Sequence, residues 1–506
     1  MAAPWSHETA LCPRSRELSG LAIRLLPQNC ERGVDVGEVA TVPVPVEAEK
    51  AGPRGKGSGL FRAFWRWHFY ASFLVIPVLL ILAVTGLIYL FRFQIEPVLH
   101  ADLMKVQQPA GLVAQPYSSQ LEEVRQAFPD ATVVSMTEPS APNRSTVFSL
   151  DTAAGPRDVF VDPYEGKVLG ALNPDTTLSG GAILLHGELM AGRWGDYVIE
   201  IAACWAIVMA MTGYYLFFRG RVARARRRAA GAAGAVLRSR HGRTGSVLGV
   251  GLLFLIVSGL PWTGVWGEQT QKLATQGGTS FWAEDHGALS NPTSTMDESL
   301  PHSHSVPWGV GKSDVPRSDP ADKRRSVATV DTAIAVGERN GLRRPMTVAL
   351  PADEEGVYSA IGYAFNDPAK ERSLHVDQYG GRVVSTYGYG DYPALAKVVA
   401  QGIALHEGRR FGTLNLWVTT VFCLGVVFMC VTGPLMWWRR RPKGNALGAP
   451  RGRLPLRATP ALAVLVVALA LFLPLFGITL AAVLLLDQLV LRRVAGLRAW
   501  FNTVRT

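Results

Sequence analysis

Leu185-His186-Gly187-Glu188 and Leu405-His406-Glu407-Gly408 are the two stretches on which the reading of this chain turns. Laid over one another at an offset of 220, they bring Gly192 onto Gly412, Thr212-Gly213 onto Thr432-Gly433, Arg219 onto Arg439 and Arg221 onto Arg441, with no gap. Between histidine and arginine each stretch holds an apolar run of about 20 residues, enough for a helix to cross a bilayer core. A second offset, 173, lays His68 on His241, Gly86 on Gly259 and Leu87 on Leu260.

The two runs between histidine and arginine are Val198–Phe218 and Leu414–Trp438; blocks of similar length lie at Phe69–Phe91 and Ser246–Trp266, with a longer one at Ala461–Leu491. The chain of 506 residues is 48% hydrophobic, and this concentration in blocks predicts a polytopic membrane protein. Its net charge of +11 is a topology signal. Nine arginines and no acid lie from Arg219 to Arg243, a second basic group runs from Arg439 to Arg457, and Arg54, Lys56, Arg62 and Arg66 precede the first span. By the positive-inside bias these segments are cytoplasmic, which puts 92–197 and 267–412 on the far side and argues against a nucleic-acid partner. Residues 1–55 lack a signal-peptide pattern and read as a flexible cytoplasmic tail, so the first span is expected to act as its own insertion signal. Of the five cysteines, Cys204, Cys423 and Cys430 read as small apolar residues in helices, and no Cys-x-x-Cys is present.

The external segments repeat as well: Val161-Asp-Pro-Tyr-Glu-Gly-Lys-Val168 matches Val376-Asp-Gln-Tyr-Gly-Gly-Arg-Val383. In the first, Ser119–Phe128 has helical spacing and four short strands are expected at Ala131–Ser135, Ser145–Leu150, Asp158–Val161 and Val168–Ala171. The second copy, Thr329–Tyr387, follows the same plan. The expected fold is a polytopic α-helical membrane protein, a tandem repeat of transmembrane helix, external α+β domain and transmembrane helix, with a C-terminal hydrophobic helix or hairpin.

The expected boundaries are a cytoplasmic tail 1–58, a first span 60–92, a first external domain 93–180, and a second span with its outer extension 182–219. A basic loop 220–240, a third span 241–267, a polar loop 268–328 and a second external domain 329–400 follow. The fourth span with its extension is 402–439, then a basic loop 440–460, the terminal helix or hairpin 461–491 and a tail 492–506. Pro474 and Gly477 interrupt the final apolar run. A short hairpin would keep Arg492, Arg493 and Arg498 with the other basic residues.

Gly86 and Gly259 stand 18 residues after His68 and His241, while Gly213 and Gly433 stand 27 after His186 and His406. Two spacings, each used twice, suggest two matched couples, His68 with His241 and His186 with His406, related by an axis along the membrane normal. A six-coordinate haem needs two neutral imidazoles on opposite ring faces, and symmetry-related helices supply that arrangement. Arg66, Arg240, Arg243, Arg409 and Arg410 are close enough in sequence to serve its propionates. His100, His286 and His375 have no histidine counterpart in the other copy and read as surface residues. His302, His304 and Trp308 fall in a polar loop where solvated chain is the default.

The stretches His68–Leu90, Leu185–Arg219, Arg240–Gly267 with its Gly259-Leu-Pro-Trp-Thr-Gly-Val-Trp-Gly267 turn, and Leu405–Pro442 resemble the PepSY-associated transmembrane proteins. That family includes iron-regulated inner-membrane proteins and bacterial ferric-siderophore reductases. The resemblance implies two b-type haems, His68 and His241 ligating the cytoplasmic-side iron and His186 and His406 the outer one. It also implies outward electron flow to a periplasmic ferric siderophore or other Fe(III) chelate, in a multi-pass protein of the bacterial inner membrane. Two features depart from the family pattern: its Leu-His-Arg is Trp67-His68-Phe69 here, and the tail beyond Pro442 has no fixed counterpart.

No Gly-x-Gly-x-x-Gly opens a helix after a strand, so electrons are expected from a separate cytoplasmic reductase or from quinol. The rival classes are a siderophore or metal permease and a membrane-anchored PepSY binding or regulatory protein. A permease wants charged groups near the membrane midplane, and the four main spans carry almost no polar residue beyond Thr and Ser.

Overall fold

The computed structural model describes residues 56–276, 315–319, 327–362, 367–370, 372–441, 447–449 and 460–503. The expected tail 1–55, most of the polar stretch 283–328, and His286, His302, His304 and Trp308 lie outside the described residues.

The first half runs α1 (Lys56–Leu90), α2 (Arg92–Leu99), α3 (Ala101–Met104), α4 (Tyr117–Ala127), then β1 (Thr132–Thr137), β2 (Thr146–Thr152), β3 (Gly155–Val161) and β4 (Val168–Leu172). A short α5 (Leu178–Glu188) leads into α6 (Arg193–Arg219) and the basic α7 (Arg221–Ala229). The second half runs α8 (Ala235–Gly259), α9 (Trp266–Gln276), α10 (Val330–Arg339), β5 (Met346–Ala349), β6 (Val357–Gly362), β7 (Arg372–Asp377) and β8 (Val383–Gly388). Next come α11 (Ala394–His406), α12 (Thr413–Trp438), α13 (Pro460–Phe472), α14 (Pro474–Leu486) and α15 (Ala495–Trp500).

Among the described residues five helices are long and apolar enough to cross a bilayer, over Gly59–Leu90, Arg193–Arg219, Ala235–Trp262, Thr413–Trp438 and Pro474–Leu491. A helix the length of α6, 27 residues, is about 40 Å long. Both α1 and α8 pack on α6 and α12, so the four form a ring with α1 diagonal to α8. One end of the ring carries the arginine-rich α7 and Arg439, and the other carries the β-sheet; these are called here the basic end and the sheet end.

In the ungapped alignment each of the stretches 182–219 and 402–439 reads as one helix with an extension. The backbone breaks both. Leu189, Met190 and Gly192 take positive φ between α5 and α6, and Gly408 and Gly412 do so between α11 and α12. Left-handed residues cannot continue a right-handed helix, so His186 and His406 sit in the last turns of separate short helices.

All eight strands form one antiparallel sheet, ordered β4-β3-β2-β1-β5-β6-β7-β8. The halves meet where β1 pairs β5, Ser135 opposite Ala349 and Thr137 opposite Thr347. Helices α4 and α10 cover one face over a shared core of Leu121, Val124, Met136, Phe148, Ile334 and Met346. Polar ties reinforce the seam. Buried Glu138 accepts from Met346 N at 2.8 Å and from Tyr117 Oη at 3.0 Å. Asp331 of α10 accepts from Tyr117 N at 2.7 Å and Ser118 N at 2.9 Å, capping α4 from the other half. The edge strands β4 and β8 lead through 3₁₀ turns directly into α5 and α11, the helices that carry His186 and His406.

The C-terminal apolar run folds as a hairpin turning at Leu473. Trp266 Nε1 at the sheet end donates to Phe472 O at 3.0 Å, whereas Arg66 Nη1 at the basic end donates to Phe501 O at 2.9 Å. Leu473, Phe476 and Leu480 are buried against Ala71, Val75, Trp205 and Ile256, and Trp205 Nε1 donates to Thr479 Oγ1 at 3.0 Å.

Candidate functional site

The four histidines share one construction. Each presents Nδ1 to a hydroxyl that precedes a glycine on a neighbouring helix. His68 Nδ1 lies 3.4 Å from Thr212 Oγ1, His186 Nδ1 lies 2.9 Å from Thr85 Oγ1, His241 Nδ1 lies 3.4 Å from Thr432 Oγ1, and His406 Nδ1 lies 3.0 Å from Ser258 Oγ. His68 Nδ1 has a second, closer partner, Met209 O at 2.9 Å.

These partners assign three of the tautomers. A carbonyl only accepts, so His68 carries its proton on Nδ1. The threonine hydroxyls stand closer to a backbone carbonyl one turn back than to the imidazole, Thr85 to Ile81 O at 2.8 Å, Thr212 to Val208 O at 2.7 Å and Thr432 to Phe428 O at 2.8 Å, so toward imidazole they accept and Nδ1 of His68, His186 and His241 donates. In these three the lone pair is left on Nε2, the arrangement of a metal-binding histidine whose other nitrogen is fixed by a hydrogen bond. His406 Nδ1 is held by Ser258 Oγ, which stands nearer to it than to Leu255 O, at 3.0 Å against 3.2 Å.

The glycines make room for the rings. A Cβ on Gly213 would stand 3.1 Å from His68 Cε1, on Gly259 3.3 Å from His406 Cε1, and on Gly86 3.6 Å from His186 Cε1. The spacing of 18 is thus the span of α1 or α8, which carries a histidine at one end and serves another helix's histidine at the other, whereas the spacing of 27 crosses the break between α5 and α6 or between α11 and α12.

His186 and His406 come together at the sheet end. The His186 and His406 ring centroids are 6.4 Å apart with planes at 86°. Two metal–nitrogen bonds of about 2 Å would set imidazole centroids about 6 Å apart across one ion, which this separation fits. Both rings are on short helices outside the spanning segments. Burial, and then the neighbouring His406, pushes His186 down to about 4. Burial likewise lowers His406. Both are neutral near pH 7, as ligation requires. His68 and His241 lie within electrostatic range of each other near the basic end. Among the described residues no third His, Cys, Asp or Glu joins either couple, so each offers two donors to a group that brings its own remaining ligands. A haem is such a group, and the donor set, tautomers and glycine clearances fit it.

Of the arginines considered for propionates, Arg66 donates to Phe501 O and Asn502 O, Arg409 pairs with Glu407 and Arg410 pairs with Gln401 and, at 3.5 Å, Asp367. Arg240 and Arg243 are exposed beside His241. His375, expected at the surface, is fully buried in β7 with Nδ1 2.8 Å from Ser359 Oγ, because it faces the sheet interior. The expectation that the spans hold almost no polar residue beyond Thr and Ser also needs correction: Glu200 is fully buried within α6. It and Asp196, one turn earlier, are acids in an otherwise apolar run, a signal the sequence carries plainly. The hydroxyl–imidazole pairing was not visible there, since it joins residues 101 to 191 positions apart.

A ring of four apolar helices long enough to cross a bilayer, with two histidines toward each end, describes a membrane protein. Residues 65–440 match the PepSY-associated TM region, and the chain belongs to that family. No curated protein matches the chain.

Proposed function

We propose that this protein is a two-haem b transmembrane electron-transfer protein that reduces an Fe(III) chelate, a ferric siderophore foremost, for iron acquisition. In this reading His68 and His241 hold one haem near the basic end, and His186 and His406 hold the other near the sheet end. The observation that carries it is the common Nδ1 pinning of four histidines, which leaves the four Nε2 atoms for ligation, in two couples. When bound, haem supplies a one-electron iron couple whose potential depends on axial ligation and burial.

The chain's own residues do the rest. Thr85, Thr212, Ser258 and Thr432 orient the rings, and the three threonines keep Nδ1 protonated, which raises the basicity of the ligating nitrogen. The apolar helix core excludes water from the couples. We read the basic end as cytoplasmic and the sheet as periplasmic, in the inner membrane, with electrons entering from a cytoplasmic reductase or quinol. The mirror-like strand order about the β1–β5 seam supports two copies of one span–domain–span unit. Reduction of Fe(III) weakens its hold on hard oxygen donors and frees the metal.

The permease alternative finds little support, because Glu200 spends both carboxylate oxygens on the backbone N–H groups of Val265 and Trp266, where α9 begins. The test is an optical spectrum of detergent-solubilised protein before and after dithionite, followed by single-turnover oxidation with a ferric siderophore. Colourless protein from haem-supplemented cells would exclude the proposal.

A further inference from the structure

The turn Gly259-Leu-Pro-Trp-Thr-Gly-Val-Trp-Gly267 joins α8 to α9 beside the outer histidine couple. Its first residues form a socket for His406. Ser258 Oγ holds Nδ1 at 3.0 Å, Gly259 lies under Cε1, and the half-exposed Trp262 stands edge-on, ring centroids 6.2 Å apart and planes at 78°. One continuous stretch, 258–262, therefore grips the imidazole.

The far end of this turn is clasped from α6. Asp196 Oδ2 accepts from Gly264 N at 2.8 Å, and Glu200 accepts from Val265 N at 3.0 Å and Trp266 N at 3.2 Å. The contact is close: a Cβ on residue 264 would stand 2.3 Å from Asp196 Oδ2 and would have to displace that carboxylate. An ionisable group buried in a spanning helix is costly and marks a function by default. Here the negative charge meets the unpaired N–H groups that open α9, where it is best placed. At an offset of 220 the equivalent residues are Leu416 and Thr420, so only one half carries the clasp.

We propose that Asp196 and Glu200 are positioning residues for the outer couple: by anchoring Gly264–Trp266 they hold Trp262 against His406 and fix the orientation of that imidazole. This rests on the reading of His186 and His406 as the outer ligand couple. It makes His406 the more rigidly oriented of the two.

The test begins with haem-free protein, so that it stands apart from cofactor loading. Glu200→Leu is expected to raise amide hydrogen exchange at Val265 and Trp266 about tenfold or more, the loss expected for hydrogen bonds to a charged acceptor, and to shift the His406 imidazole Cε1–H resonance. Glu200→Gln, which keeps one acceptor oxygen, recovers most of both effects. Trp262→Leu shifts the His406 resonance and leaves the exchange rates unchanged. In loaded protein, Glu200→Leu and Trp262→Leu alter the low-spin electron-spin-resonance signal of the outer centre alone. Faster exchange with an unmoved His406 resonance in Glu200→Leu overturns the proposal, because the acids then only cap a loop. Failure of the parent reading would show separately, as wild-type protein that takes up no haem while the His406 resonance still responds.

Discussion

Thr85 Oγ1 lies 2.9 Å from His186 Nδ1, across 101 residues of chain. Because Thr85 has already given its hydrogen to Ile81 O, it can only accept, and one threonine on α1 decides which nitrogen of an imidazole on α5 is free for a metal. Thr85→Val keeps the shape and deletes the acceptor. It is expected to weaken haem retention at the outer couple by about 10- to 100-fold, with Thr85→Ser close to wild type, as read by haem titration of the outer spectral component. Equal retention in all three proteins would refute the assignment.

The glycine clearances predict a graded series. Gly213→Ala places a methyl 3.1 Å from His68 Cε1 and is expected to displace that ring and reduce the inner haem, while Gly86→Ala, at 3.6 Å from His186, meets ordinary contact and is tolerated. Gly259→Ala, at 3.3 Å, falls between them at the outer site. Haem stoichiometry of the three purified variants checks the order.

Much of this architecture is readable from residues, and some is not. The spans announce themselves by apolar length, and the strands β1–β4 by alternation and by the Asp162–Gly166 turn. The breaks after His186 and His406 are hidden, because the alignment between them is gapless and only Gly192, Gly408 and Gly412 hint at left-handed backbone. The seam between β1 and β5 joins residues that no local pattern relates, and Glu138 and Asp331 reach across it. The histidines are legible because four of them repeat. Their hydroxyl partners are not, since a helix that serves its neighbour leaves no mark in its own periodicity. The hairpin at Leu473 shows in Pro474 and Gly477, yet its docking on Trp205 does not.

The seam makes its own prediction. Glu138→Ala leaves the Met346 N–H without its acceptor in a buried site and removes one of the two carboxylates beside Arg344, which lies 3.3 Å from Glu138 and keeps Glu338 at 3.2 Å. It is expected to cost the sheet about 1–3 kcal/mol. Hydrogen exchange should accelerate across β1 and β5, with the haem spectrum little changed. A spectrum that collapses with the seam would mean that sheet and histidine couples fold as one unit.

At the C-terminal hairpin, Trp205→Phe removes the bond to Thr479 while keeping an aromatic ring beside Trp67 and Phe476. The expected cost is about 1 kcal/mol, seen as a lower melting midpoint in detergent. Protease sensitivity near the basic end should rise only slightly, because Arg66 still holds Phe501.

The central claim is tested most directly by counting haem in wild-type protein and in His186→Ala, His406→Ala, His68→Ala and His241→Ala from dithionite-reduced difference spectra. Two b-type centres are expected in wild type. The first two variants should lose the same one and the last two the other. Haem-free wild type, or four variants that each retain both centres, would contradict the account.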